Sequence, residues 1–285
     1  MSDPTRAVLE ERFLARLQRL AVRVAAARGR DETGQGAFAG ERGDEFAGHR
    51  PYRAGEDLRD FDWELYGRLE RGFVRVRRRT AGERWAVLLD TSASMGLGAP
   101  GKLQLAAEVA TALAFAGLDA GATVALLSHG ESGGVEAVRL RKPRDLGAWL
   151  EFVHARRARL TRPTRELLAD RRANAASRVF VVGDLLDLAP ADVLALARRG
   201  RRVAAVRVLA PHEVAPAAEE GVEWLDPERG ERLDMRVGDE ALGAYERALE
   251  ARLEAWRIAF ARHGQRCVAV RSDADFEDVA RRVLA

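Results

Sequence analysis

The chain has 285 residues, of which 47% are hydrophobic and 32% are charged, which is enough for one large globular domain with an embellishment. Its 47 Lys and Arg residues nearly balance its 44 Asp and Glu residues, which argues against a dedicated nucleic-acid binder. No stretch approaches the ~20 apolar residues of a membrane span, and the N-terminus lacks the pattern of a signal peptide. We therefore expect a soluble cytoplasmic protein. The single cysteine, Cys267, is predicted to be a small core residue.

Residues 1–81 are predicted to precede the main domain. Apolar residues recur at helical spacing over residues 5–28, which predicts an amphipathic helix. A Gly-rich segment at 29–48 has no periodicity and is expected to be an irregular or mobile loop. The segment 48–79 is dense in charge and aromatic residues, and it ends in a strand-like alternation at 73–79.

From about residue 82 onward, strand-like and helical patterns alternate to the C-terminus. The strands are predicted in RWAVLLD, ATVALLSHG, RVFVVGD, RRVAAVRVLA and RCVAV, with VEAVRL at an edge. Helices are predicted at 102–118, 144–157, 164–173, 190–199, 239–262 and 275–284, the fifth with Trp256 and Ile258 on its inner side. VEWLDPERGERLDMRV predicts a hairpin, with PERG as its turn, inserted at about 221–237. The alternation predicts an α/β sandwich with a mainly parallel sheet for residues 82–285.

The stretch VLLDTSAS, residues 87–94, places a carboxylate and two hydroxyls directly after a buried strand. Alternate residues of an extended loop project the same way, so Asp90, Ser92 and Ser94 can converge on one point. All three donors are hard oxygens, which favours Mg²⁺, Mn²⁺ or Ca²⁺ over zinc. The alternative interpretation is that Asp90 caps a turn while the serines satisfy backbone donors.

Further metal ligands must come from other strand ends, because one loop cannot fill an octahedron. VVGDLLD offers Asp184 at the end of a second central strand, and TRPTRELL offers Thr161 or Thr164 before a helix. Two carboxylates would neutralise a divalent ion, which could still accept one anionic oxygen from outside. No general base stands out nearby, so such a metal suits binding of a partner's Asp or Glu better than activation of water.

The sequence DTSASM resembles the metal-ion-dependent adhesion site of von Willebrand factor A domains. YRAGEDLRDFDW, FVRVRRRTAGERWAVLLDTSASM and LDPERGE together resemble the bacterial family called domain of unknown function 58, from about Gly48 to the C-terminus. The resemblance implies a von Willebrand factor A-like, Rossmann-like three-layer sandwich. It also implies a metal site made of Asp90, Ser92, Ser94, Thr164 and Asp184. Thr161 is the alternative to Thr164 at the threonine position of this site. Members commonly sit beside a MoxR-type AAA+ ATPase and are thought to act with it in maturing or activating other proteins.

An enzymatic function fits the sequence less well than a function as a non-enzymatic interaction module. The stretch from Gly96 to Leu103 approaches a phosphate-binding loop, but Leu103 replaces the required Ser or Thr, and Lys102 is predicted to open a helix instead. A haloacid-type phosphatase needs a second acid where Ser92 stands. The five histidines show no paired metal spacing.

The segment 48–79 offers a metal-independent alternative, in which the protein is an α/β scaffold or adaptor. Its acidic cluster does not fit a calcium-binding loop. We expect these acids to form an ion-paired structural cluster with the interleaved arginines and with the alternating run that includes Arg75 and Arg77.

Overall fold

The structure is a computed structural model that forms two compact units, one of residues 1–28 with 83–285 and one of residues 29–82. This division differs from the predicted one, because the N-terminal residues pack in the core of the larger unit. The residues that the structure describes are 3–17, 45–52, 61–69, 71–78, 83–130, 133–158, 164–216, 222–225, 232–235 and 238–285.

A six-stranded sheet forms the centre of the larger unit. Its strands are β3 (Arg84–Leu89), β4 (Thr123–His129), β5 (Val135–Leu140), β6 (Arg178–Gly183), β7 (Arg202–Leu209) and β10 (Arg266–Arg271). They lie in the order β10-β7-β6-β3-β4-β5, all parallel to their neighbours except the edge strand β5, which is antiparallel to β4. The predicted mainly parallel α/β sandwich and its edge strand are confirmed.

Helices cover both faces of this sheet and make it the middle of three layers. The helices of this unit are α1 (within residues 11–17), α3 (Lys102–Asp119), α4 (Leu146–His154), α5 (Arg165–Ala169), α6 (Arg171–Asn174), α7 (Pro190–Leu194), α8 (Pro211–Val214), α9 (Asp239–Arg262) and α10 (Phe276–Leu284). Alternate residues of β3 enter separate hydrophobic cores, Val87 beneath α3 and Leu88 on the side of α9. Burial on both faces explains why the central strands appear as continuous apolar runs.

The N-terminal helix is shorter at its start than predicted. Residues 5–28 were expected to be helical, but helix begins at residue 11 because Arg6 pairs with Arg157 as an isolated β-bridge. The Ala158 N–H also donates to the Thr5 carbonyl, at 2.9 Å. Residues 18–28 lie outside the described part of the chain.

Two further helix predictions require correction. The predicted helix 164–173 is two short helices, because Asp170 adopts an extended conformation and its side chain accepts from the Arg172 N–H. On α9, Trp256 is buried as predicted but Ile258 is 36% exposed. Two positions turn a helix by about 200°, so Phe260, four residues after Trp256, occupies the inner face instead.

The smaller unit contains β1 (Glu45–Pro51), α2 (Trp63–Leu69) and β2 (Phe73–Arg78), with the two strands antiparallel. The expected irregular loop at 29–48 is therefore wrong for residues 45–48, which belong to β1. Asp62 is buried and accepts the Leu65 N–H at 3.0 Å, which stabilises the start of α2. The other acids of the predicted cluster, and the Arg75 and Arg77 side chains, lie outside what the structure describes.

The predicted hairpin is confirmed as the antiparallel pair β8 (Val222–Leu225) and β9 (Arg232–Met235), while its PERG turn falls outside the described residues. Within the described ranges, no helix is long and apolar enough to cross a membrane.

Candidate metal centre

Four of the five predicted site residues, Asp90, Ser92, Ser94 and Asp184, follow the carboxyl ends of β3 and β6, where the strand order reverses direction. From β3 the chain builds the sheet one way through β4 and β5, and the other way through β6, β7 and β10. Such a reversal leaves a crevice that is the usual ligand site of open α/β sheets. Asp90 follows β3 and its N–H donates to the Val182 carbonyl of β6 at 2.9 Å, so the two strand ends are in register.

Asp90 is a buried carboxylate with one unused oxygen. Its Oδ1 accepts the Ser92 N–H at 2.9 Å, but its Oδ2 has no hydrogen-bond partner among the described residues. Burial, together with the nearby Asp184 and Asp187 charges, raises the pKa of Asp90 to about 7, although the hydrogen bonds from Ser92 oppose the shift. A cation at Oδ2 would oppose this shift, because it stabilises the ionised carboxylate.

The two serines converge as the sequence predicted, although the loop is not extended throughout. Ser92 precedes a 3-10 turn over Ala93–Gly96 without capping it through its side chain, and the Ser92 and Ser94 hydroxyl oxygens lie 3.0 Å apart. Both side chains are buried.

Thr164 precedes α5 and is buried, with a relative exposure of 1%. Its hydroxyl does not cap the helix and has no partner among the described residues. Its backbone N–H donates to Asp187 Oδ2 at 2.7 Å, which ties the start of α5 to the loop after β6. The reserve residue, Thr161, lies outside the described part of the chain.

Asp184 is buried at the end of β6, but both of its carboxylate oxygens are already bonded. Oδ1 accepts the Leu186 N–H at 3.2 Å, and Oδ2 lies 2.8 Å from the Lys102 ammonium. Lys102 is fully buried, opens α3 as predicted, and also bonds Glu213 Oε1 at 2.7 Å. Burial lowers the pKa of Lys102, but the Asp184 and Glu213 charges outweigh it, so the pKa is raised and the ammonium stays charged.

Sequence reasoning missed three contributors to this site. Asp187 was visible only as a second acid in VVGDLLD, and Glu213 comes from the short helix α8, for which no pattern gave a signal. Gly183 was also missed, and it allows close packing, because a Cβ there would lie 2.3 Å from the Asp90 Cβ and 2.6 Å from Oδ2.

The side chains present fit a hard divalent cation. A buried carboxylate oxygen and a buried hydroxyl without partners each cost about 1–3 kcal/mol, and a cation between them would offset that cost. The Ser92 and Ser94 hydroxyls lie 3.0 Å apart on the loop that follows Asp90, and oxygen donors of this kind suit Mg²⁺ or Mn²⁺. No group of three His, Cys, Asp or Glu side chains able to hold a metal occurs in the described ranges, so this site would depend on hydroxyl ligands.

The phosphate-loop alternative does not fit this geometry. Lys102, which would have to reach a phosphate, is buried between Asp184 and Glu213. Two of the histidines have structural partners: His154 Nε2 accepts the Leu9 N–H at 3.0 Å, and His129 Nε2 lies 3.4 Å from Glu166.

Comparison with solved structures finds similar chains of low sequence identity. The conserved hypothetical protein BatB from Bacteroides thetaiotaomicron is 14% identical, with 71% of this chain and 98% of that chain covered and a TM-score of 0.41. An aerotolerance-related membrane protein from Bacteroides fragilis is 13% identical, with 71% and 97% covered and a TM-score of 0.41. The SpRpn10 VWA domain is 12% identical, with 70% and 93% covered and a TM-score of 0.36.

No curated protein matches the sequence significantly. The fold class, an α/β fold with a six-stranded and mostly parallel sheet, rests on the strand order and pairing of that sheet. The family described as "Protein of unknown function DUF58" matches residues 48–254, more than half of the chain. The chain belongs to the DUF58 family.

Proposed function

We propose that this protein is a non-enzymatic, metal-dependent interaction module. In this proposal Asp90, Ser92, Ser94 and Thr164 hold Mg²⁺ or Mn²⁺, with Asp184 beside the ion. The bound metal supplies a Lewis-acidic position for one carboxylate oxygen of a partner protein. The protein residues fix the ion and present it at the crevice between β3 and β6.

One observation carries the proposal: two oxygens at this crevice, Asp90 Oδ2 and Thr164 Oγ1, are buried and have no partner among the described residues. Buried polar atoms are nearly always paired, so an unpaired acceptor and an unpaired hydroxyl together indicate a ligand. Both are hard oxygens, the kind of donor that suits Mg²⁺ or Mn²⁺.

Partner binding fits the surroundings better than hydrolysis. The described ionisable groups nearest the site are committed, Lys102 to Asp184 and Glu213, and Asp187 to the Thr164 N–H. Lys102 is a charged ammonium and cannot act as a general base, and Asp187 uses one carboxylate oxygen to hold the start of α5. Leu186, two residues after Asp184, is 47% exposed and offers an apolar contact beside the proposed ion.

The partner would contribute an Asp or Glu side chain as the remaining metal ligand. The first candidate is a MoxR-type AAA+ ATPase, on the resemblance described above, acting with this protein in the maturation or activation of other proteins. The candidate follows from that resemblance, whereas the site geometry supports only the acidic character of the contact.

The test is calorimetric titration of Mg²⁺ and Mn²⁺ into chelator-stripped protein, followed by capture of the candidate ATPase with and without chelator. We expect saturable binding to the wild type and none to Asp90→Asn. Asp273→Asn is the matched control, because Asp273 is an exposed aspartate paired with Arg271 outside the site. Capture of the ATPase that survives both chelator and Asp90→Asn would refute the metal bridge.

A second candidate function is a metal-independent adaptor that uses the smaller unit. Three large apolar side chains of α2 are exposed, with Trp63 at 62%, Tyr66 at 45% and Leu69 at 53%. Aromatic residues are enriched at protein interfaces, so this helix offers a contact surface of its own. In this case Trp63→Ala with Tyr66→Ala would abolish partner capture, while chelator and Asp90→Asn would leave it unchanged.

A further inference from the structure

Lys102 is a buried cation built into the proposed metal centre. It is one of only two lysines in the chain, and its side chain has no exposed surface. Lysine is almost never fully buried unless it is paired, and here the ammonium contacts two carboxylates, Asp184 at 2.8 Å and Glu213 at 2.7 Å.

Both carboxylates are fixed by other bonds, so this ion-pair cluster is not a chance surface contact. Glu213 Oε2 accepts the Ala210 N–H at 2.6 Å, and the Tyr245 hydroxyl donates to the Glu213 carbonyl at 2.6 Å. Asp184 Oδ1 accepts the Leu186 N–H. Lys102 is therefore held at a defined position by α8, by α9 and by the loop after β6.

The two aspartates at the strand ends differ in how many of their carboxylate oxygens already have a hydrogen-bond partner. Asp184 has no unused oxygen, whereas Asp90 Oδ2 has no partner among the described residues. A divalent ion that bound directly to both would have to share Asp184 with the Lys102 ammonium. The ammonium would also repel an ion bound at Asp90, because like charges repel strongly where water is excluded.

We propose that Lys102 withdraws Asp184 from the metal and so weakens metal binding until an outside carboxylate completes the site. This inference rests on the proposed function. If Asp90 is the only carboxylate that binds the divalent ion, the bound ion keeps one net positive charge. A second carboxylate ligand would cancel that charge. Lys102 thereby couples the binding of the metal to that of the acidic partner. The partner supplies the second carboxylate that the ion lacks, and the ion supplies the positive charge that the partner's carboxylate needs.

The test is titration of Mg²⁺ alone into full-length variants, because the ion-pair cluster predicts opposite effects for its two ends. Lys102→Met removes the competing cation and frees Asp184, so the affinity for Mg²⁺ should rise about tenfold or more. Glu213→Gln leaves Lys102 with Asp184 alone and removes a negative charge, so the affinity should fall. Lys142→Met alters the other, exposed lysine and should change nothing.

A merely structural ion pair would give a different pattern, in which both substitutions weaken metal binding. Lys102→Met leaves two buried carboxylates without a cation and could fail to fold, so the double variant Lys102→Met with Glu213→Gln is compared with Glu213→Gln alone. That pair differs only in the lysine, and tighter binding by the double variant supports the inference. If the wild type binds metal and the double variant binds it no more tightly than Glu213→Gln, the inference is overturned. Absence of binding in every variant overturns the proposed function as well.

Discussion

Gly183, the last residue of β6, and Asp90, which directly follows β3, lie so close together that no side chain fits at position 183. A Cβ at Gly183 would lie 2.3 Å from the Asp90 Cβ and 2.6 Å from Oδ2, far inside any real contact distance. The position of the proposed metal-binding carboxylate therefore depends on a residue that has no side chain.

Gly183→Ala is expected to displace the Asp90 side chain, because the added methyl group meets the centre of that side chain. The backbones of the two residues are held in place by the pairing of β3 with β6. We expect the affinity for Mg²⁺ to fall at least about tenfold and the free energy of unfolding to fall by about 1–3 kcal/mol. Gly147→Ala is the control, because nothing lies within 4 Å of the added Cβ in α4. That change should leave metal binding unaltered and stabilise the helix by up to about 1 kcal/mol. Unchanged calorimetry for Gly183→Ala would show that Asp90 does not need its present position.

Thr164→Val should separate metal binding from stability. The substitution removes a buried hydroxyl that has no partner among the described residues, so the fold should lose nothing and could gain about 1 kcal/mol, while metal affinity falls. Thr111→Val is the matched control with the opposite outcome. The Thr111 hydroxyl donates to the Ala107 carbonyl and accepts from Trp149 Nε1, so its loss should cost about 1–3 kcal/mol and leave metal affinity intact. Chemical denaturation and calorimetry measure both effects, and a destabilised Thr164→Val with normal metal affinity would exclude Thr164 as a ligand.

Metal-free protein should become less stable as the pH rises from about 4 to about 7. The Asp90 pKa is about 7 in the fold against an ordinary 3.8, so the folded state keeps a proton in this window that the unfolded chain has lost. Stability falls with pH wherever the folded state binds more protons, and it levels off above pH 7 for this group. Denaturation with chelator at pH 5 and pH 8 should show a larger loss in the wild type than in Asp90→Asn. Identical losses would mean that Asp90 titrates normally.

The N-terminal segment should contribute to the stability of the larger unit. Phe13 is buried, and its ring lies 4.8 Å from that of Phe276 in α10. Phe13→Ala should therefore lower the free energy of unfolding by about 3–5 kcal/mol. Val8→Ala, at a position 45% exposed in the same segment, should change it by no more than about 0.5 kcal/mol. A small effect of Phe13→Ala would place the segment outside the cooperative core.

The parts of the fold that follow from local pattern were predictable. Continuous apolar runs such as that in β3 occur because both faces of a central parallel strand are covered, and the helical period of α9 is local to its own turns. The predictions were wrong where a side-chain contact or pairing with a distant strand determines where an element begins or ends. Asp170 ends α5 with an extended backbone and caps α6 with its side chain, and β1 exists because β2 pairs with it.

The sequence by itself determined the order of the six strands of the central sheet and of the long helices beside them, membership of the DUF58 family, and the placing of Asp90, Ser92 and Ser94 after one buried strand. It could do so because these features depend on residues close together in the chain. Only the tertiary structure decided that Asp184 is held by Lys102, that Glu213 joins them from α8, and that Thr164 is buried without capping its helix. Those relations join residues on different elements, up to 111 positions apart, and the packing of the sheet ends alone brings their charges together.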